Sequence, residues 1–443
     1  MAQGTVITTP SPNDLAFQNL IKSNFNPVAY AQGKWWCAGW AGGGTGPPSN
    51  DFVLCRRDAL NDWVWPDTSE ILEGSASTRP HMMLMESGKL YVGCANNSAR
   101  DTSWLYTWNG GTSAWDARTS PADPQTAVTN SGLAFQDNNI AICRDASDRI
   151  YAFSGTTSGS IKCNYTDNQG ESWSGAQATI RDTGDGIANQ SSHIDATHFD
   201  WGADGQHVGI VFSQQTAGTP ANGKWQFGFC KATDTPTTKT NWTFENLADE
   251  VTGYPGSSDF AAVCAHRGTG GDKGKVVAFS RDSDGHYWVV ERASGISGTW
   301  GDWKKWLNTD WEQTPLEFGM QIDKVNSEVY LYGAKSTLGT GSEYVKWTLG
   351  SLSGVTTPAD LITDDSSTDF DQCHSTYDNF DDSSGAFFFQ VQNDWTAAWE
   401  HTITITSPAG IIDPSLAGTG STGIIVPAAA GTGSTGIIVP TAD

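Results

Sequence analysis

A turn rich in Gly, Asp or Ser, followed at once by an apolar and aromatic run, recurs seven times along the chain. The copies are AQGKWWCAG, ESGKLYVGC, ASDRIYAFS, ADGQHVGIVF, DKGKVVAFS, VNSEVYLYG and DSSGAFFFQ. The anchors Gly33, Gly88, Asp148, Gly205, Gly274, Ser327 and Gly385 follow one another at similar intervals along the whole chain up to the last copy. Such a period constrains the fold more than length does, because each unit must be one module that buries its faces against its neighbours.

Further strand-like runs complete each unit. A Trp usually follows late in the unit: Trp63 and Trp65, Trp115, Trp173, Trp242, Trp300 and Trp303, and Trp399, whereas the sixth unit has Trp347 earlier. Such a unit holds four strands of about 5–6 residues with their turns, the content of one propeller blade. Convincing amphipathic helices are scarce, the best being Asp14 to Ser23 behind an Asn13 cap. The expected fold is therefore all-β, a seven-bladed β-propeller of four-stranded blades over residues 26–407. A closed ring needs its first and last edges paired. GTVITT, from Gly4 to Thr9, and HTITIT, from His401 to Thr406, alternate β-branched and polar residues and are expected to pair, so residues 1–25 supply a closing strand and the short helix.

After Ser407 the composition changes to Gly, Ala, Thr, Ile and Pro, and GTGSTGIIVP occurs twice, from Gly418 and from Gly431. Each Gly-Ile-Ile-x-Pro is an apolar knob too small to form a core. Residues 408–443 read either as a low-complexity disordered tail or as an attachment tail whose repeated knobs dock on a protein partner or a neighbouring subunit.

With 25 Lys+Arg against 49 Asp+Glu, the formal charge is −24. That balance argues against nucleic acid and against anionic membrane surfaces. At 17% charged and 11% aromatic residues, the chain has the means to fill a core, unlike a disordered acidic chain. No run approaches the ~20 apolar residues of a membrane span. The start of the sequence has no basic n-region or apolar h-region, so an extracellular or virion-surface location is expected without a standard signal peptide. Eight cysteines lack a CxxC pair or a Cys/His cluster, and most sit in apolar strand-like runs, which reads as buried free thiols rather than a zinc or redox site. No cofactor is expected.

YTDNQGESW places Thr166, Asn168, Gly170, Ser172 and Trp173 on the pattern S/T-x-D-x-G-x-T/S-W, with Asn168 where Asp is usual. It resembles the Asp-box, or BNR repeat, of sialidase-like propellers, and SRDSDGHYW from Ser280 to Trp288 resembles a more degraded copy. The resemblance implies a hairpin on the outer part of a blade, away from any active site. Catalytic sialidases also carry an arginine triad, a Tyr/Glu pair and an Asp acid. Here STRPHM, with Arg79 before Pro80, lacks the aromatic residue of their first arginine motif, and Arg144, Arg267, Arg281 and Arg292 fall in no matching context. The resemblance thus speaks for the scaffold and not for sialidase chemistry.

Ligands of a propeller usually meet the channel lined by the innermost strands and the loops leading into them. The candidate ligand-binding residues there are His81, Asn139, His193, Asp195, Asp259, Glu317 and His374, with Trp201 and Trp311 as stacking rings. Trp35, Trp36, Trp40, Trp104, Trp108 and Trp306, also off the late-unit pattern, are likewise expected to be freer to face solvent. Exposed aromatic faces stack on sugar rings, and the Lys-poor, acidic surface suits neutral glycans. If the chain is instead an enzyme, a polysaccharide lyase or glycoside hydrolase, the pattern resembles seven-bladed lyases, with His81 or His193 as base, Tyr377 as acid and Arg79 as carboxylate clamp. His193, Asp195 and His198 alternate across a strand and so do not converge on a metal ion. The leading reading is a non-catalytic propeller that binds a glycan or cell-surface receptor and is displayed on a larger assembly, such as a virion, by its tail. A purely structural decoration protein is the third reading.

Overall fold

In the computed structural model, six anchors of the repeat are the left-handed residues of hairpins: Gly33 at φ +73°, Asp148 +64°, Gly205 +85°, Gly274 +78°, Ser327 +56° and Gly385 +66°. The structure describes residues 5–6, 28–31, 33–40, 52–59, 62–64, 78–86, 89–96, 103–109, 114–115, 140–155, 160–168, 172–175, 177–182, 185, 190–215, 224–247, 262–281, 287–306, 318–334, 342–352, 359–362, 370–374, 379–380, 384–392 and 398–404. Gly88 and the helix expected over Asp14 to Ser23 lie outside them.

Left-handed backbone explains the anchor composition, since Gly adopts it freely and other residues strain. Where the anchor is not Gly, a carboxylate offsets that strain by tying the turn. Asp145 Oδ1 accepts the N–H groups of Ser147 at 2.8 Å and Arg149 at 3.1 Å, and its Oδ2 accepts the Tyr151 hydroxyl at 2.7 Å. Asp323 Oδ1 likewise accepts the N–H groups of Val325 at 2.8 Å and Asn326 at 3.0 Å ahead of Ser327.

The described strands form seven sheets. Five are four-stranded antiparallel sheets in sequence order. Their first strands are Val28–Ala31, Thr78–Glu86, Ile140–Arg144, Gln190–Asp200 and Ala262–Ala265. The sixth sheet begins with Phe318–Asp323 and the seventh with Phe370–His374. From the first sheet to the seventh, each of these first strands packs on the first strand of the next sheet. Successive sheets whose leading strands meet in this way are the blades of a β-propeller.

Two departures from the simple unit occur near the end of the chain. In the seventh sheet, Thr5–Val6 lies antiparallel beside Ala398–Ile403, with Thr5 opposite Glu400 and Val6 opposite Trp399. The sixth sheet carries a fifth strand, Asn379–Phe380, parallel to Phe318–Asp323 on its innermost edge. The chain divides into two compact units, Met1–Thr406 and Ser407–Asp443. No described helix is long and apolar enough to cross a membrane.

Described core residues fill the seams between sheets. Cys143, Phe153, Cys163 and Ile180 of the third sheet meet Ala196, Ile210, Cys230 and Trp242 of the fourth. Phe199, Trp225 and Phe227 of the fourth meet Val263, Val276 and Trp300 of the fifth. Trp63, Trp242, Trp300, Trp303 and Trp347 are buried, as blade packing requires. Two of them donate their indole N–H to carboxylates across the seams, Trp300 to Glu245 and Trp347 to Glu291, each at 2.7 Å, whereas Trp303 and Trp242 donate to the carbonyl oxygens of Leu247 and Pro236. The expectation that off-pattern tryptophans face solvent is corrected at Trp35, Trp36 and Trp201, all buried. The side chains of Trp40, Trp104, Trp108 and Trp306, and all of Trp311, lie outside the described residues. Cys37, Cys143, Cys163, Cys230 and Cys264 are buried free thiols, and burial pushes their pKa values up where a shift is resolved, to about 12 for Cys230.

Candidate functional site

The innermost strands carry five of the candidate ligand-binding and catalytic residues. Arg79 and His81 lie on Thr78–Glu86, His193 and Asp195 on Gln190–Asp200, and His374 ends Phe370–His374. Of these, the described side chain is that of Asp195. Asn139, Asp259, Glu317, Trp311 and Tyr377 lie outside the described residues.

Trp201 is not a solvent-facing stacking ring. It is 5% exposed, donates its indole N–H to the Gly274 carbonyl oxygen at 2.8 Å, and lies 4.4 Å under the Arg292 guanidinium. Arg292 is fully buried and holds Glu245 through both carboxylate oxygens, at 2.8 and 2.9 Å. Indole, guanidinium and carboxylate join the fourth sheet to the fifth, so the ring packs a seam.

Asp195 is 1% exposed and belongs to a seam as well. Its Oδ2 accepts the Val263 N–H of the fifth sheet at 2.7 Å, while Oδ1 accepts the N–H of Ala196 at 2.8 Å. Burial raises its pKa from 3.8 to about 7, and the two N–H bonds oppose that rise without cancelling it. A carboxyl so enclosed ties two innermost strands.

His198 lies on the other side of the same strand. Ile194 and Ala196 enter the core shared with the third sheet, and His198 continues their alternation, whereas Asp195 bonds to the fifth sheet. Asp195 and His198 therefore diverge, as the alternation in the sequence implies. The imidazole is partly buried, and its pKa is held well below the ordinary value, first by burial and then by the charges of Arg267 and Arg144. Arg267 reaches over from the fifth sheet and donates its Nε–H to the His198 carbonyl oxygen at 3.3 Å. Arg144 ends the innermost strand of the third sheet and is ion-paired with Asp148.

Asn379 extends this row. While its backbone pairs with Ile322 of the sixth sheet, its Oδ1 accepts the Arg267 N–H at 2.8 Å and its Nδ2 donates to the Ala265 carbonyl oxygen at 2.7 Å. Phe380 follows, buried edge-on against Tyr330 at 5.4 Å between ring centres. Asn379, Arg267, His198 and Arg144 thus form a row across the sixth, fifth, fourth and third sheets, at the C-terminal ends of innermost strands. Sequence reading assigned no site role to Arg144, Arg267 or Asn379. The available signal was position, since Arg144 and Arg267 shortly precede the Asp148 and Gly274 hairpins.

The Asp-box-like turn closes on itself. Asn168 Oδ1 accepts the Thr166 hydroxyl at 2.7 Å and the Ser172 N–H at 3.0 Å, and Asn168 Nδ2 donates to Ser172 Oγ at 2.9 Å. Nearby Arg149 donates to Asp167 and to the carbonyl oxygens of Ala232 and Asp234 in the fourth sheet, a structural tie. The turn after Ser280 lies outside the described residues.

Comparison with known proteins finds no matching family model and no matching curated protein. Solved structures do match. A lectin from Burkholderia pseudomallei has a TM-score of 0.56 at 10% identity, covering 87% of this chain and all of that one. A six-bladed β-propeller lectin from Aleuria aurantia gives 0.40 at 9% identity over 74% of this chain and 96% of that one. An ulvan lyase, a polysaccharide lyase, gives 0.42 at 10% identity over 72% of this chain and 79% of that one. The likeness to the Burkholderia pseudomallei lectin extends over its full length and is one of fold.

Proposed function

We propose that the chain is a seven-bladed β-propeller that binds glycans, without catalysis, through the region around its innermost strands. The observation that carries the reading is the placement of His81, His193 and His374 on the innermost strands of three different sheets. Imidazoles that both donate and accept hydrogen bonds suit sugar hydroxyls there. The fold shared with a lectin over 87% of the chain supports the same reading. The Asn168 turn supports a sialidase-like scaffold, and the Gly-Ile-Ile-x-Pro repeats of residues 408–443 support attachment to a protein partner on a larger assembly, such as a virion surface.

Glycan-array binding by the full chain tests the proposal. Substitution of His81→Ala with His193→Ala should abolish or re-pattern binding while the melting profile is kept. A rise in ultraviolet absorbance from an unsaturated uronate product, lost in the same double variant, would instead establish the lyase alternative.

A further inference from the structure

We propose that His81, His193 and Asp371, each at a slip in the pairing of an innermost strand, hold one neutral glycan through its hydroxyl groups at the end of the propeller where those strands begin. The proposal deepens the glycan-binding reading and rests on it, adding Asp371 as a binding residue and an uncharged sugar as the ligand class.

Three observations converge. The first is a shared irregularity. In the second sheet, the first strand advances from Pro80 to Met82 while its partner advances only from Cys94 to Gly93, so His81 is an extra residue. In the fourth sheet, Ser192 and His193 stand between Ser191 and Ile194, where the partner strand has Ser213 alone between Gln214 and Phe212. In the seventh, Asp371 is the extra residue between Phe370 and Gln372, opposite Gln392 and Val391. The innermost strands of the first, third, fifth and sixth sheets pair with their neighbours without a slip. A bulge interrupts the ladder and bends its strand, and such bulges concentrate beside functional sites. The second observation is position. All three slips lie near the beginning of their strands, Thr78–Glu86, Gln190–Asp200 and Phe370–His374. Innermost strands of blades related by rotation run the same way, as the fourth and fifth show: Asp195 and then His198 meet Val263 and then Arg267. The slips therefore share one end of the propeller. The third is chemistry, since every slip holds a histidine or an aspartate, whereas the paired residues beside them include Pro80, Met82, Ile194 and Phe370.

A sugar ring offers hydroxyl groups on adjacent carbons, each both donor and acceptor. A carboxylate accepts from two of them at once in charge-assisted bonds, and a neutral imidazole donates through one nitrogen and accepts through the other. Two histidines and one aspartate, on strands that are not neighbours in chain order, supply such groups from several sides of the ring of blades. The aspartate selects against an anionic sugar by repulsion, which the chain's charge of −24 reinforces during approach. Arg79 lies two residues before His81 on the same strand and is the group through which a uronate would be held instead.

An array that sets neutral hexose-terminated glycans beside uronate- and sulfate-bearing ones, probed with the full chain, tests the proposal. Binding confined to neutral glycans is expected. On the best-bound neutral glycan, titrated by calorimetry, Asp371→Asn should weaken binding at least about tenfold, the loss of one charge-assisted hydrogen bond, and His81→Gln and His193→Gln should each weaken it by a smaller factor. Lys239→Gln, on a surface ion pair elsewhere, should leave it unchanged. Melting profiles show which variants are folded, and where one is not, the other two decide. Neutral-glycan binding that all the folded variants retain refutes this site and leaves the lectin reading standing. A preference for uronate-bearing glycans that Arg79→Gln abolishes overturns the neutral ligand class. A wild type that binds no glycan overturns the lectin reading itself, and this site with it.

Discussion

Replacing Asp195 by Asn should remove a pH dependence that the fold now carries. The carboxyl has a pKa of about 7 in the folded chain against 3.8 as its ordinary value. That gap is worth roughly 4 kcal/mol. Below about pH 4 both states hold the proton and the group has no effect. Between about pH 4 and 7 the unfolded chain ionises while the folded one keeps its proton, so stability falls by about 1.4 kcal/mol per pH unit. Above about pH 7 both are ionised and the full cost remains. Other groups titrate too, but they cancel in the difference between wild type and Asp195→Asn, because the substitution changes one seam. Urea unfolding followed by tryptophan fluorescence, at steps from about pH 4 to 8, supplies both curves. Relative to the variant, the wild type should lose up to about 4 kcal/mol across that range. The Asn side chain itself adds an offset of about 1–3 kcal/mol against the protonated acid, because its NH2 group replaces one of the two oxygens that meet the Val263 and Ala196 N–H groups. A wild-type-minus-variant difference that stays flat would refute the reasoning, since the two N–H bonds would then fully balance burial.

Deletion of Met1–Thr9 removes the strand that pairs with Ala398–Ile403, and should lower the melting temperature and promote edge-to-edge association visible by light scattering. Trp347→Phe leaves Glu291 without its indole donor. It should cost about 1–3 kcal/mol by urea unfolding, whereas a tryptophan without a buried acceptor would tolerate the change. Gly274→Ala should cost more than Gly33→Ala although both sit at positive φ. A Cβ at Gly274 would stand 2.5 Å from the Asp200 carbonyl oxygen, while one at Gly33 meets nothing within 4 Å. The second should therefore show only the left-handed strain of about 1–2 kcal/mol, and equal losses would contradict the packing account.

The modular fold was legible because its punctuation is chemical. A hairpin that needs one left-handed residue selects Gly, Asp or Ser, and that selection repeats at Gly33, Asp148, Gly205, Gly274, Ser327 and Gly385. Thr5 and Val6, within GTVITT, pair with Glu400 and Trp399, just before HTITIT, and the signal for it is alternation without a local partner. The roles of Trp35, Trp36 and Trp201 were not. Periodicity marks late-unit rings as packing, yet a seam draws aromatic rings from first and second strands as well, and Trp201 follows an innermost strand directly. The row from Arg144 to Asn379 was hidden by distance along the chain. Arg144, His198 and Arg267 belong to three different repeats, and the strand Asn379–Phe380 is too short to show a pattern.

With a charge of −24 the chain holds few cations, and the place of each described one matters. Among the described residues, several arginines reach across seams between sheets. Arg292 binds Glu245 between the fifth and fourth sheets, Arg181 binds Gln226 between the third and fourth, and Arg149 reaches the carbonyl groups of Ala232 and Asp234. Arg267 makes the same kind of reach to His198. Arg292 closes both edges of its reach on one carboxylate. Exposed charges farther apart than the Debye length, about 8 Å at physiological salt, are screened from one another, so the net charge of −24 bears on which molecules approach the propeller, while the seam arginines act on partners within hydrogen-bond reach.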